Sequence, residues 1–90
     1  LSNVAKPSSE IIFRKGFCYY KLYQFDEAFS FFDKAISLNA NQGNYYYYRA
    51  VCKMKLEQKK ESICADFQKA KNLGFQENID ALNYFESNCK

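Results

Sequence analysis

The sequence predicts an all-α fold of antiparallel helical hairpins, and three observations lead there. First, the chain nearly repeats itself after 34 positions: Gly16 returns as Ala50, Cys18 as Cys52, Lys21 as Lys55 and Leu22 as Leu56. Second, Phe32 and Ala35 return 35 positions later as Phe67 and Ala70, so one residue is inserted near Glu57 to Lys60. Third, no segment alternates apolar and polar residues as a half-buried strand would. A period of this length, built from two amphipathic segments, describes helix-turn-helix units stacked side by side.

Residues 1–9 read as a short polar leader that holds the only proline, Pro7. Ser8 or Ser9 supplies an N-cap, and Glu10 adds negative charge to the first turn. Helix one is predicted from about Glu10 to Leu22, with Ile12, Gly16, Tyr19 and Tyr23 on one face. Tyr23-Gln24 turns the chain. Helix two then starts at Asp26 and Glu27 and directs Ala28, Phe29, Phe32, Ala35 and Ile36 toward its partner. The run Asn39 to Gly43 breaks the pattern with turn residues.

Helix three is expected at about Asn44 to Leu56 and helix four at about Lys60 to Leu73, with Gly74 as a left-handed cap. A fifth helix, about Glu77 to Asn88, carries Ile79, Leu82, Tyr84 and Phe85 and suits a terminal cap over the last repeat. The expected boundaries are therefore 1–9 leader, 10–42 first repeat, 43–75 second repeat and 76–90 capping helix, within one structural domain. Connections of a few residues force neighbouring helices to run antiparallel.

Ninety residues permit one modest core, burying roughly 60–65% of the surface the unfolded chain exposes. Aromatic residues make up 19% of the chain, so few side chains enclose much apolar area. The net charge of +3 is spread along the sequence and makes no case for nucleic acid or an anionic membrane. No stretch approaches the roughly 20 consecutive apolar residues of a membrane span.

Gly16, Tyr19, Ala28, Phe32 and Ala35 resemble the tetratricopeptide repeat: a small residue midway along the first helix, an aromatic three later, and Ala-x3-Phe-x2-Ala along the second. Residues 35–41 resemble the family's Ala-Ile-x-Leu-x-Pro-Asn exit, with Ala40 in the proline position. In the second unit Ala50, Phe67 and Ala70 fit, while Lys53 replaces the aromatic and Ile63 the first small residue. Residues 62–74 look like the last repeat of many bacterial members. The resemblance implies a right-handed solenoid of two repeats plus a cap. Small side chains then bring helices to the short end of the usual spacing of about 8–10 Å, and Phe32 and Phe67 fill the gaps.

On the family's geometry the first helix of each pair lines the concave side. That places Glu10, Phe13, Phe17, Tyr20 and Lys21 of helix one on the inner surface, with Asn44, Tyr47, Tyr48, Val51, Met54 and Lys55 of helix three. This aromatic strip, with Lys21 and Lys55 at one end, suits a peptide with apolar anchors and an acidic group. An alternative keeps several of these rings in the core. Within the run Tyr45 to Tyr48, Tyr46 is expected to face the core and two of the others to be partly exposed. The lysine, asparagine and arginine clamp that some members use for chaperone C-termini is absent: Phe13, Phe17 and Tyr48 stand in its positions.

Four cysteines form no CxxC pair, and there is no histidine, so no zinc site is expected. Cys18 and Cys52 hold equivalent points of the two units and are expected as buried thiols. Cys64 and Cys89 lie at similar height on antiparallel helices and are the preferred disulfide; Cys52 with Cys64 also matches in height, so the connectivity stays open. A disulfide would suit an oxidising compartment such as a periplasm or a cell surface.

No histidine base, glycine-rich phosphate loop or paired carboxylates are visible; Asp26, Glu27 and Asp66 read as helix-start or solvated charges. The sequence therefore predicts neither an enzyme nor a cofactor. It predicts a protein-protein interaction scaffold, with another protein as partner and the oligomeric state undetermined. The alternatives are a structural subunit or terminal piece of a larger assembly, favoured by having only two repeats, and RNA recognition by a pentatricopeptide-like array.

Overall fold

Ser8 starts the first helix, its hydroxyl accepting a hydrogen bond from the Ile11 N–H at 3.2 Å. This cap satisfies one of the amide groups that a helix start leaves without a partner. The computed structural model describes residues 8–75, 83, 84 and 87–89. Helix α1 runs Ser9–Lys21, α2 Phe25–Leu38, α3 Gly43–Lys55 and α4 Lys60–Asn72. No strand occurs among the described residues. The fold is all-α.

Both hairpin tips turn in the same way. Tyr23 and Glu57, 34 positions apart, adopt left-handed backbone with φ of 62° and 57°. At the first tip the N–H of Gln24 reaches the Tyr19 carbonyl at 2.9 Å; at the second, the N–H of Gln58 reaches the Lys53 carbonyl at 2.9 Å. These bonds close the helix ends in the Schellman manner. Gly74 ends α4 likewise with φ of 88°, where the Phe75 N–H meets the Ala70 carbonyl at 3.0 Å. The extra residue of the second unit lies in its hairpin turn: residues 56–59 join α3 to α4, whereas residues 22–24 join α1 to α2.

Small residues set how closely the helices approach. A Cβ on Gly16 would lie 2.8 Å from the Phe31 Cβ and 2.8 Å from the Phe32 ring, so α1 meets α2 backbone to side chain. At the start of α3, a Cβ on Gly43 would lie 2.7 Å from the Phe75 Cβ and 3.0 Å from the Ala70 carbonyl oxygen. Ala28, Phe32 and Cys52 form one buried cluster. Ala35, Tyr45, Tyr46, Tyr47, Ala50, Ile63, Phe67 and Ala70 belong to a second, larger one. Phe32 and Phe67 are completely enclosed, as the repeat spacing requires.

The structure corrects four expectations. Tyr23 does not share the buried face of α1: it sits in the turn and is 81% exposed, because the left-handed backbone carries its side chain away. Cys18 is exposed whereas Cys52 is buried; among the described residues only Cys52 has a hairpin packed over it, through Ala28 and Phe32. Tyr45 and Tyr47 are buried along with Tyr46, leaving Tyr48 as the half-exposed member of the run. Neighbouring elements cover three sides of α3: Tyr45 stacks on Phe13 at 4.7 Å, and Tyr47 packs on Phe75 at 4.9 Å. Asp66 is not a solvated charge; it is buried between Arg49 and Lys53.

Cys64 and Cys89 are joined in a disulfide, with Cα atoms 5.4 Å apart. Most of the expected fifth helix, including Ile79, Leu82 and Phe85, lies outside the described residues, as does most of the expected leader. Of that C-terminal region, residues 83, 84, 87 and 88 are helical, and the Tyr84 ring lies 5.8 Å from that of Phe67.

Candidate functional site

The spacing of Phe13, Phe17 and Tyr20 places all three on the face of α1 that looks toward α3. Their rings form a ladder: Phe13 to Phe17 at 6.1 Å and Phe17 to Tyr20 at 5.7 Å, each pair stacked. Tyr48 of α3 closes it edge-on, 5.1 Å from Phe17 and 5.2 Å from Tyr20. Offset stacks and edge contacts are the arrangements that the ring quadrupole favours. All four rings are half-buried, so packing holds them while part of each stays in contact with solvent.

Lys21 extends this surface, its ammonium 5.4 Å from the centre of the Phe17 ring. Burial pushes the Tyr20 phenol above its ordinary pKa, reinforced by nearby Tyr48 and Cys52. Its hydroxyl is therefore neutral at physiological pH and available for hydrogen bonding. Beside Phe13, between the starts of α1 and α3, lies a polar cleft of about 390 Å³. Asn39, Gln42 and Asn44 line it with amide groups, and the exposed Glu10–Arg14 ion pair (2.8 Å) forms one wall.

The structure thus brings Phe13, Phe17, Tyr20, Lys21 and Tyr48 together, with Asn44 next to them across the cleft. Val51 and Met54 are half-buried against the larger core cluster, and Lys55 is exposed at the end of α3. Tyr47 is 5% exposed and offers a partner little surface. It belongs with Phe67 and Phe75, because its place on α3 turns it toward α4.

Sequence reasoning missed a second group of residues. Asp66 accepts two hydrogen bonds from Arg49, at 2.8 Å each, and a third contact from the Lys53 ammonium at 2.9 Å. Arg49 also reaches Asp33 of α2 at 2.7 Å, and Lys53 donates to the Ser62 hydroxyl at 2.7 Å. The hydrogen bond to Asp66 is the main reason the Arg49 guanidinium is held above its ordinary pKa. One arginine therefore ties α2, α3 and α4 together. The signal was present in the spacing: Ile63, Asp66, Phe67 and Ala70 follow i, i+3, i+4, i+7, which puts Asp66 on the buried stripe of α4.

Among the described residues no group of three or more cysteine and acidic side chains could hold a metal ion. No helix of the described part is long and apolar enough to cross a membrane. A comparison with curated proteins yields no match. Residues 9–42, the stretch that folds into α1, α2 and the approach to α3, match the tetratricopeptide repeat family. That family is a non-catalytic repeat typically used for protein-protein interaction, and it is to this repeat that the first helical hairpin of the chain is similar.

Proposed function

We propose that this chain is an interaction scaffold that captures an apolar protein segment on the ladder of Phe13, Phe17, Tyr20 and Tyr48. One observation carries this reading: four rings locked by mutual packing remain half-exposed on one face. Rigid aromatic surface gives much contact area with little loss of side-chain freedom on binding. Lys21 at one end favours a segment with an acidic group near its apolar anchors. The polar cleft at the other end, lined by Asn39, Gln42 and Asn44, suits the backbone amides of an extended peptide. In this reading residues 10–42 and 43–75 are the two repeats, and Val51, Met54 and Lys55 flank the contact rather than anchor it.

The test is affinity capture from the native cell with the wild-type chain and with Phe17→Ala, each checked for helical content. Truncating a central aromatic anchor is expected to weaken binding by about 2 kcal/mol or more, enough to lose the specific partner. A Tyr20→Phe variant reads the hydroxyl alone. Retention of the same partner by Phe17→Ala at undiminished affinity would sink the assignment.

A further inference from the structure

The two units are similar in sequence but not in how well they are covered. Ile11, Lys15, Cys18 and Leu22 form one stripe along α1, and their counterparts 34 positions on are Tyr45, Arg49, Cys52 and Leu56. Ile11 is 52% exposed, whereas Tyr45 is 4% exposed. Cys18 is exposed and Cys52 is completely enclosed. Leu22 is 64% exposed, and Leu56 is half-buried. Every position on the stripe of α1 is more open than the same position on α3.

The cause is visible at α3. Its stripe is covered by the preceding hairpin: Ala28 and Phe32 of α2 enclose Cys52, and Phe13 of α1 stacks on Tyr45. Arg49 completes that interface through its ion pair with Asp33 of α2. On α1, Lys15, Cys18 and Leu22 of the stripe instead line an open groove of about 500 Å³ with Tyr19 and Phe31. Lys15, standing where α3 has Arg49, makes no ion pair among the described residues.

We propose that the open stripe of α1 is a second docking surface, and that its occupant is an amphipathic helix of a partner protein built like α2. Continuity with the α2–α3 interface specifies that helix. It carries a small residue, an aromatic three or four positions on and another small residue, to seat over Cys18 and Leu22. It also carries a carboxylate at the Asp33 position to meet Lys15. Among the described residues a second copy of this chain offers no free helix of that kind. Its α2 is already seated on α3. The α4 counterpart of α2 is engaged by the C-terminal segment through Tyr84 and the Cys64–Cys89 disulfide. Two copies placed face to face would also bring Lys15 against Lys15.

Cys18 reports occupancy directly, because Cys52 is enclosed and Cys64 and Cys89 are bonded to each other. The probe is a stapled helical peptide with the sequence of Phe25–Leu38, added to the oxidised chain, with maleimide labelling of Cys18 as the readout. Labelling is expected to slow saturably as peptide is added, and to be unaffected by a scrambled stapled peptide. Lys15→Glu should weaken the peptide by about two- to fivefold at low salt, the scale of a partly exposed ion pair. A peptide with lysine at the Asp33 position should recover that loss on Lys15→Glu. Undiminished labelling at millimolar peptide, or equal protection by the scrambled peptide, would overturn the proposal. So would sedimentation showing a dimer that protects Cys18 without peptide, which would make a second copy the occupant. The readout is confined to Cys18, so its result is independent of whether the ring ladder binds a segment.

Discussion

Lys53 and Asp66 meet at 2.9 Å in the second hairpin at the very positions where the first hairpin stacks Tyr19 on Phe31, with ring centres 5.5 Å apart. Lys53 follows Tyr19 by 34 residues, and Asp66 follows Phe31 by 35, the offsets of the two halves of the repeat. One contact of the fold is therefore made by two chemistries, ring on ring and cation on carboxylate. The ionic version needs more partners. Its side chains are only 11% and 5% exposed, and Arg49 and Ser62 supply the hydrogen bonds that water cannot.

Removing one member should therefore cost far more than replacing the pair. Asp66→Asn leaves Lys53 and Arg49 without their buried carboxylate and is expected to destabilise by about 3–5 kcal/mol. Asp33→Asn removes the 60% exposed partner of Arg49 and should cost less than about 1 kcal/mol. The double change Lys53→Tyr with Asp66→Phe recreates the first hairpin's stack and should unfold at a higher urea concentration than Asp66→Asn. A double variant no more stable than the single one would show the two contacts are not interchangeable.

Backbone requirements give a pair of opposite effects. Gly16→Ala places a methyl within 2.8 Å of both Phe31 and Phe32 and should destabilise by about 1–3 kcal/mol through overpacking. Glu57→Gly relieves a left-handed non-glycine residue at the second tip and should stabilise by about 1 kcal/mol. Urea unfolding monitored by helical ellipticity measures both.

The two free thiols should behave differently. Cys18 is exposed and is expected to react rapidly with a disulfide reagent, while Cys52 reacts only as fast as the hairpins separate. Burial pushes the Cys52 thiol up to about 12 from an ordinary 9.0. The folded chain then keeps the proton where the unfolded chain releases it. This contribution to stability is fully present below pH 9.0 and is lost as pH rises toward about 12. Stability measured across that window should fall with pH, and Cys52→Ala should reduce the slope.

The disulfide links residues 25 apart in sequence. Closing a loop of that size is worth about 3.5 kcal/mol in the unfolded-chain account. Reduction, or Cys89→Ser, should lower the urea midpoint accordingly. Intact mass should rise by two hydrogens on reduction. A wild-type chain whose midpoint ignores reductant would show that the bond contributes no stability.

Much of this protein was legible in residue order because helical hairpins depend on local rules. The cap at Ser8, the turn at Tyr23, the left-handed Gly74 and the burial of Phe32 and Phe67 all follow from spacing and backbone preference. The extra residue of the second turn could likewise be located by comparing the two units. The candidate surface follows in part from the family's geometry, which puts Phe13, Phe17, Tyr20 and Tyr48 on one face, whereas Tyr47 packs into the core against Phe67 and Phe75.

The rest belongs to tertiary structure, because burial depends on which neighbour arrives and not on the residue alone. Cys18 and Cys52 have the same register, yet among the described residues only Cys52 is enclosed, by Ala28 and Phe32 of α2. Asp66 looks like a surface charge in isolation, and becomes a buried tie only when Arg49 and Lys53 converge from the adjacent helix. Residue order determined the helices, their turns and the repeat that relates them. Three-dimensional packing decided which copies of that repeat are enclosed, since covering a face requires a second element at a distance in sequence.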